Sequence, residues 1–129
     1  MGLVQSLQAI PAKIVYATNE AITDTSTHSY YGLGGTTPYR VDQFQYLAID
    51  ISNSHNQIAT VTVYGRMRGT IITTYTQIGP SIAVAATSGH ETRTIDLNSQ
   101  YFEMLRIDVI FASSPSSGNI DIIAHGVKR

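Results

Sequence analysis

The chain contains no cysteine, so neither a disulfide framework nor a thiolate metal site is open to it, and its stability must come from packing and backbone pairing. Tryptophan is absent too, and charged residues make up only 13% of the sequence, about half the roughly 25% usual for soluble domains. A surface built mainly of Thr, Ser, Asn and Gln follows, polar but weakly charged. The eight Lys and Arg are scattered, with only Arg66/Arg68 and Lys128/Arg129 close together, and the formal net charge is -1. Phosphate recognition needs several basic groups converging on one backbone, so nucleic acid is not an expected partner. No apolar run approaches the ~18 residues of a membrane span. The start, MGLVQSLQAIPAK, lacks the charged region and long apolar core of a secretory signal, so neither membrane insertion nor classical secretion is expected. Gly2 after Met1, with Ser6 four positions on, fits the myristoylation pattern. One acyl chain with no basic cluster beside it holds weakly, and an ordinary start is the simpler reading.

Catalytic signatures are equally scarce. His28, His55, His90 and His125 are widely separated with no zinc-ligand spacing, and the first three fall in expected loops, where a lone His is usually solvated. There is no Gly-x-Ser-x-Gly elbow. Gly32-Leu33-Gly34-Gly35 lacks the Lys-Ser/Thr of a phosphate loop, and no helical pattern follows it. Asp50, Asp108 and Asp121 each sit inside an apolar strand pattern, with Arg106 two positions before Asp108. Such carboxylates can act as an acid/base pair or bind Ca²⁺, but alternation alone puts them on the solvent face, with Arg106 paired to Asp108 or to a cross-strand Asp. No catalytic residue, metal site or cofactor is expected, and the chain reads as non-enzymatic.

What the sequence does contain is one short alternating apolar run after another. Leu47, Ile49 and Ile51 alternate with Ala48, Asp50 and Ser52; Ala59, Val61 and Val63 alternate with Thr60, Thr62 and Tyr64. The β-branched content suits a pleated surface. These two runs are expected to form a hairpin turning at 53–57. Further strands are expected at 13–18, 70–78, 82–86, 91–97, 102–112 and 119–127, with Gly, Pro, Asn and Ser between them. Leu105, Ile107, Val109 and Phe111 share one side of the longest strand, and Ile120, Ile122 and Ala124 can answer them across the Ser/Pro/Gly connection. Eight strands and no helix in 129 residues predict an all-β, antiparallel two-sheet β-sandwich, jelly-roll-like, as a single domain over 1–129. Residues 1–40 are expected to form an N-terminal arm and a long loop.

Two segments stand out as candidate interaction sites. The stretch 23–40, TDTSTHSYYGLGGTTPYR, has almost no apolar periodicity and carries His28, Tyr30, Tyr31 and Tyr39. A Tyr/Ser/Gly/Thr loop resembles a recognition surface in composition, although the same rings can simply cap the open end of a sandwich. The second is the strand beginning Lys13, Ile14, Val15 and Tyr16, expected at a sheet edge and a candidate to dock on the next copy.

From residue 46 to 128 the layout resembles small β-sandwich accessory structural proteins of tailed bacteriophage and related virus particles. The resemblance rests on YLAIDISNSHNQIATVTVYGRMRG, ATSGHETRTIDLNSQYFEMLRIDVIFAS and SGNIDIIAHGVK: a strand ending in Asn, a Val/Thr strand closing on Tyr-Gly, an Ile-Asp-Leu step, and a terminal hairpin. It implies a non-enzymatic virion component (capsid decoration, head-fibre or tail accessory protein) that forms homo-oligomers and contacts other virion proteins such as the major capsid protein. Residues 1–40 carry none of the resemblance. A carbohydrate-binding module presenting Tyr30, Tyr31, Tyr39 and His28 to a glycan is the alternative from another class, and a subunit of an extracellular filament is a third.

Overall fold

The computed structural model describes residues 12–32, 39–67, 74–98 and 102–128. They form nine strands: β1 (Ala12–Glu20), β2 (His28–Tyr30), β3 (Phe44–Asn53), β4 (Ala59–Met67), β5 (Thr76–Gln77), β6 (Ile82–Val84), β7 (Gly89–Asp96), β8 (Phe102–Phe111) and β9 (Ile120–Lys128). One sheet has the order β1-β9-β3-β7, the other β2-β8-β4-β5, with β6 also pairing with β4. Every pairing is antiparallel. The expected all-β two-sheet sandwich is the observed fold, with nine described strands in place of eight.

Period-two alternation produces the core. Leu47, Ile49 and Ile51 of β3 and Ile120, Ile122 and Ala124 of β9 point inward from one sheet. Val61 and Val63 of β4 and Leu105, Ile107 and Val109 of β8 face them from the other, all fully buried. Burying one such aliphatic side chain contributes about 1.5–3 kcal/mol, so these facing rows are what hold the sheets together. The intervening residues, such as Asp50, Thr60 and Arg106, point outward.

The connectivity departs from the expected one. β3 and β4 do not form a hairpin: β3 pairs with β7 and β9, while β4 lies in the opposite sheet beside β8. The terminal pair behaves likewise, β8 in one sheet and β9 in the other. Alternation fixes which side chains face the core, and it is satisfied equally by a partner alongside and by one across the sandwich. β4 also does not close at Gly65 but runs on to Met67. The expected long loop contains β2, which pairs with β8 through Ser29↔Asp108. Of the strand expected over 70–78, the first part lies outside the described residues, and only Thr76–Gln77 is strand within the rest. Gly2 and Leu33 to Gly35 also lie outside the described residues.

The crossing from β3 to β4 is organised by two buried polar side chains. Asn53 Nδ2 donates to the carbonyls of Gln57 (3.0 Å) and Ala85 (3.1 Å), and Asn53 Oδ1 accepts the His55 backbone N–H (3.1 Å). His55 Nδ1 lies 2.9 Å from the same oxygen, and its Nε2 accepts the Ile22 N–H at 3.0 Å. An Nε2 that accepts a backbone proton leaves Nδ1 as the donor, so the ring is neutral in one tautomer. It packs edge-on against Phe111, centroids 4.7 Å apart. The expectation that His55 is a solvated loop residue is therefore corrected: it is fully buried.

Burial pulls the His55 pKa below its ordinary 6.5. The unfolded chain takes up the proton first, so the stability supplied by the neutral ring is complete above about pH 6.5 and is lost as pH falls from there toward the lower folded value. Urea melts at about pH 7.5 and pH 5.5 should show a lower midpoint at the acidic value. In His55→Gln that part of the decline should vanish; an unchanged decline would mean other groups cause it.

Candidate interaction surface

On the outer face of the five-stranded sheet, Arg106 of β8 stands directly opposite Tyr64 of β4. Its guanidinium lies 4.3 Å from the Tyr64 ring centroid and 5.2 Å from that of Tyr75, within the range of cation–π attraction. Tyr75 in turn meets Tyr31 edge to face, centroids 6.1 Å apart at 65°. Asp108 fixes the arginine: Arg106 Nε donates to Oδ1 at 3.0 Å and Nη2 to Oδ2 at 3.2 Å, and Ser29 Oγ donates to Oδ1 at 2.7 Å. The short strand β2 therefore brings the tyrosine-rich segment onto this face.

Beside this cluster a second set of charges alternates in sign. Glu103 receives Arg40 at 2.9 Å and sits 3.8 Å from Arg66, while Arg40 also reaches Asp42 at 2.8 Å. Arg66 Nη2 points at the Met104 sulfur, 3.0 Å away, and its buried Nε has no acceptor among the described residues. Met67 and Ile110, also on β4 and β8, are exposed. Arg40 is exposed, and pairs made by an exposed side chain stabilise the fold little. Their effect is to set Arg40 and Arg66 beside Glu103, with Arg66 also against Met104.

The sequence candidates are distributed unevenly over this arrangement. Tyr31 belongs to the cluster. Tyr30 and Tyr39 are half-buried against the core, and burial, followed by the nearby Glu20 charge, pushes the Tyr30 phenol up to about 12. Tyr39 is tied to Tyr31 through a backbone hydrogen bond of 2.9 Å. His28 lies apart, its Nε2 2.7 Å from Asp24 Oδ1, a bond that with the Ser26 hydroxyl holds the exposed Asp24 carboxyl below its ordinary range. Lys13, Ile14, Val15 and Tyr16 lie on β1, at the edge of the four-stranded sheet, opposite His125, Ala124, Ile123 and the bulge that follows. Ile14 and Tyr16 are buried in the core of their own chain. The buried Tyr16 hydroxyl has no partner among the described residues, and burial above all raises its pKa.

Tyr64, Tyr75 and Arg66 are not candidates in the sequence, and Arg106 figures there only as the partner of an aspartate. Each occupies the polar phase of an apolar strand or a connection, and only the β4–β8 register puts them side by side. The expected Arg106–Asp108 pair is present. Asp50 and Asp121 lie on the other sheet, so Asp108 cannot act in concert with them. No group of three or more His, Asp or Glu suited to a metal occurs among the described residues.

No protein-family model matches the chain, and no curated protein matches it in sequence. Among solved structures it is similar to a family 29 carbohydrate-binding module from Piromyces equi, at 15% identity and a TM-score of 0.46, covering 89% of this chain and 80% of that one. It is similar also to a carbohydrate-binding module of Cellvibrio mixtus lichenase 5A, at 14% identity and a TM-score of 0.47 over 92% of this chain and 88% of that one. The VP2 subviral particle of infectious bursal disease virus is matched at 11% identity and a TM-score of 0.49, over 92% of this chain but 32% of the viral chain. The likeness in each case is one of β-sandwich fold.

Proposed function

We propose that this chain is a non-enzymatic structural component of a virus particle, working by contact between copies and with a neighbouring virion protein such as the major capsid protein. The observation that carries the reading is the cluster of Tyr31, Tyr64 and Tyr75 around Arg106 on the outer face of the five-stranded sheet. Tyr and Arg dominate the energetics of protein interfaces because they bury large, rigid surfaces and still carry hydrogen-bonding groups. The patch carries both Arg66/Arg106 and Glu103/Asp108, so a second copy can meet it with complementary charge. The sequence layout of residues 46–128 supports the virion setting, as a decoration, head-fibre or tail accessory protein, and many weak copies acting together can stabilise a particle.

A glycan reading of the same face is less favoured. A sugar platform needs an open aromatic face, whereas the Arg106 guanidinium already covers one face of Tyr64 at 4.3 Å. Light scattering over a concentration series tests the assembly reading. The purified protein should give a discrete oligomer, and Tyr31→Ala/Tyr75→Ala should weaken association by about thirtyfold, the effect of a ~2 kcal/mol hot spot. A wild-type monomer at every concentration, or a double variant that associates as well as wild type, would sink it.

A further inference from the structure

On the opposite sheet, Ser52 of β3 is the cross-strand partner of both Asp121 on β9 and His90 on β7, so the three form one outward row. At the end of that row, the turns after β3 and before β7 rise as walls. Ser52, Ser54, Thr87, Ser88, His90 and Asp121 line an open cleft of about 190 Å³.

The walls are held rigidly. Ser54 Oγ and Asn119 exchange bonds of 3.2 and 2.9 Å, and Thr87 N–H donates to His55 O at 2.8 Å. The buried Asn53 amide ties one wall to Ala85 in the other. Gly89 admits no side chain, since a Cβ there would lie 2.0 Å from Ala85 O. Thr87 has a φ of 75°, a left-handed conformation that is strained for a β-branched residue, and such strain tends to be kept at ligand sites by an over-determined surrounding. The polar groups, by contrast, are less fully engaged: His90 Nε2 stands 3.6 Å from Asp50 Oδ1. Asp121 uses Oδ1 for the Asn19 N–H at 2.8 Å, and its other oxygen has no partner among the described residues. The hydroxyls of Ser52, Thr87 and Ser88 likewise make no side-chain hydrogen bond there.

We propose that this cleft binds a single neutral, hydroxyl-rich ring, a monosaccharide unit of a glycan. The carboxylate oxygen accepts from ring hydroxyls, while the imidazole and the rotatable hydroxyls can donate to them as well as accept. No Lys or Arg lines the cleft to match an anion, and no aliphatic or aromatic hydrocarbon side chain lines it to hold a lipid. Its volume is below the roughly 300–1,000 Å³ of drug-sized sites, so about one ring fits inside it, and the rest of a longer glycan would lie outside the open mouth. The site is on the four-stranded sheet and stands or falls independently of the tyrosine surface.

Titration of the ¹⁵N-labelled full chain with D-glucose, D-galactose, D-mannose, L-fucose, L-rhamnose and N-acetyl-D-glucosamine tests it. At least one sugar should shift the Ser54, Ser88, Gly89 and His90 amides saturably, with Kd on the order of 1–10 mM, while those of Tyr31, Tyr64 and Tyr75 stay still. Asp121→Asn keeps an acceptor for Asn19 and should weaken binding about tenfold. Ser88→Tyr, which fills the cleft from an exposed turn, should abolish it with the spectrum still that of a folded chain. No saturable shift with any of the six sugars, shifts confined to the tyrosine face, or binding untouched by Ser88→Tyr overturns the proposal.

Discussion

Asn53→Ala should lower the unfolding free energy by about 3–5 kcal/mol, since each buried group left without its partner costs about 1–3 kcal/mol. The side chain donates to two carbonyls, Gln57 and Ala85, and accepts from both the backbone and the ring of His55. The Asn53 side chain is 2% exposed, and its bonds with the His55 backbone and ring are buried, where water cannot take them over. The alanine chain should melt at a clearly lower urea concentration with an unchanged slope. Asn53→Asp should be no milder, because a carboxylate keeps the acceptor while turning negative charge toward the Gln57 and Ala85 carbonyls. A loss below about 1 kcal/mol for the alanine variant would mean that the connection is held by its backbone bonds alone. The same variant should also loosen the cleft wall at Thr87–Gly89, because Ala85 anchors that turn.

Asn53 and His55 show where the sequence stops informing. Within SNSHNQ nothing separates a solvated turn from a buried network, because Asn, Ser and His are ordinary turn residues and their burial depends on the end of β6, Phe111 and the residues around Ile22 closing over them. By contrast, the strands themselves were legible: burying every second residue from Leu47 to Ile51 and from Leu105 to Phe111 leaves a periodic trace that needs no knowledge of the partner. The partner is what periodicity leaves out. That is why the expected hairpin of β3 with β4 is a crossing between sheets, and why Tyr64 and Arg106 looked unrelated until the β4–β8 register set them face to face. Tyrosine enrichment located one corner of the aromatic cluster, Tyr31, but Tyr30 and Tyr39 spend much of their area on the core. Composition reports how many aromatic rings a segment has; how many remain available depends on packing.

Two glycines inside strands give the second large expectation. Gly126 of β9 and Gly65 of β4 are each covered by an aromatic ring from a neighbouring strand, Phe44 and Phe102: a Cβ would come within 2.7 Å of Phe44 Cδ1 and 2.4 Å of Phe102 Cδ1. Glycine inside a strand is otherwise unfavourable, so its presence marks a close approach of another group. Phe44 is fully buried, and Phe44→Ala should cost about 3–5 kcal/mol through lost burial and the cavity left behind. Gly126→Ala should cost about 1–3 kcal/mol by forcing the ring outward. In the Phe44→Ala background the sign should reverse: with the ring gone, the new methyl enters the vacated space and replaces a flexible residue by one that loses less entropy on folding. The double variant should therefore be no less stable than Phe44→Ala alone, giving a coupling of about 1–3 kcal/mol in a double-mutant cycle of urea melts. Additive costs would show that the ring and the glycine are adjacent without constraining each other. A coupling of that size would show that β9 keeps a glycine at 126 to make room for Phe44, and would set the same expectation for Gly65 beneath Phe102 in the opposite sheet.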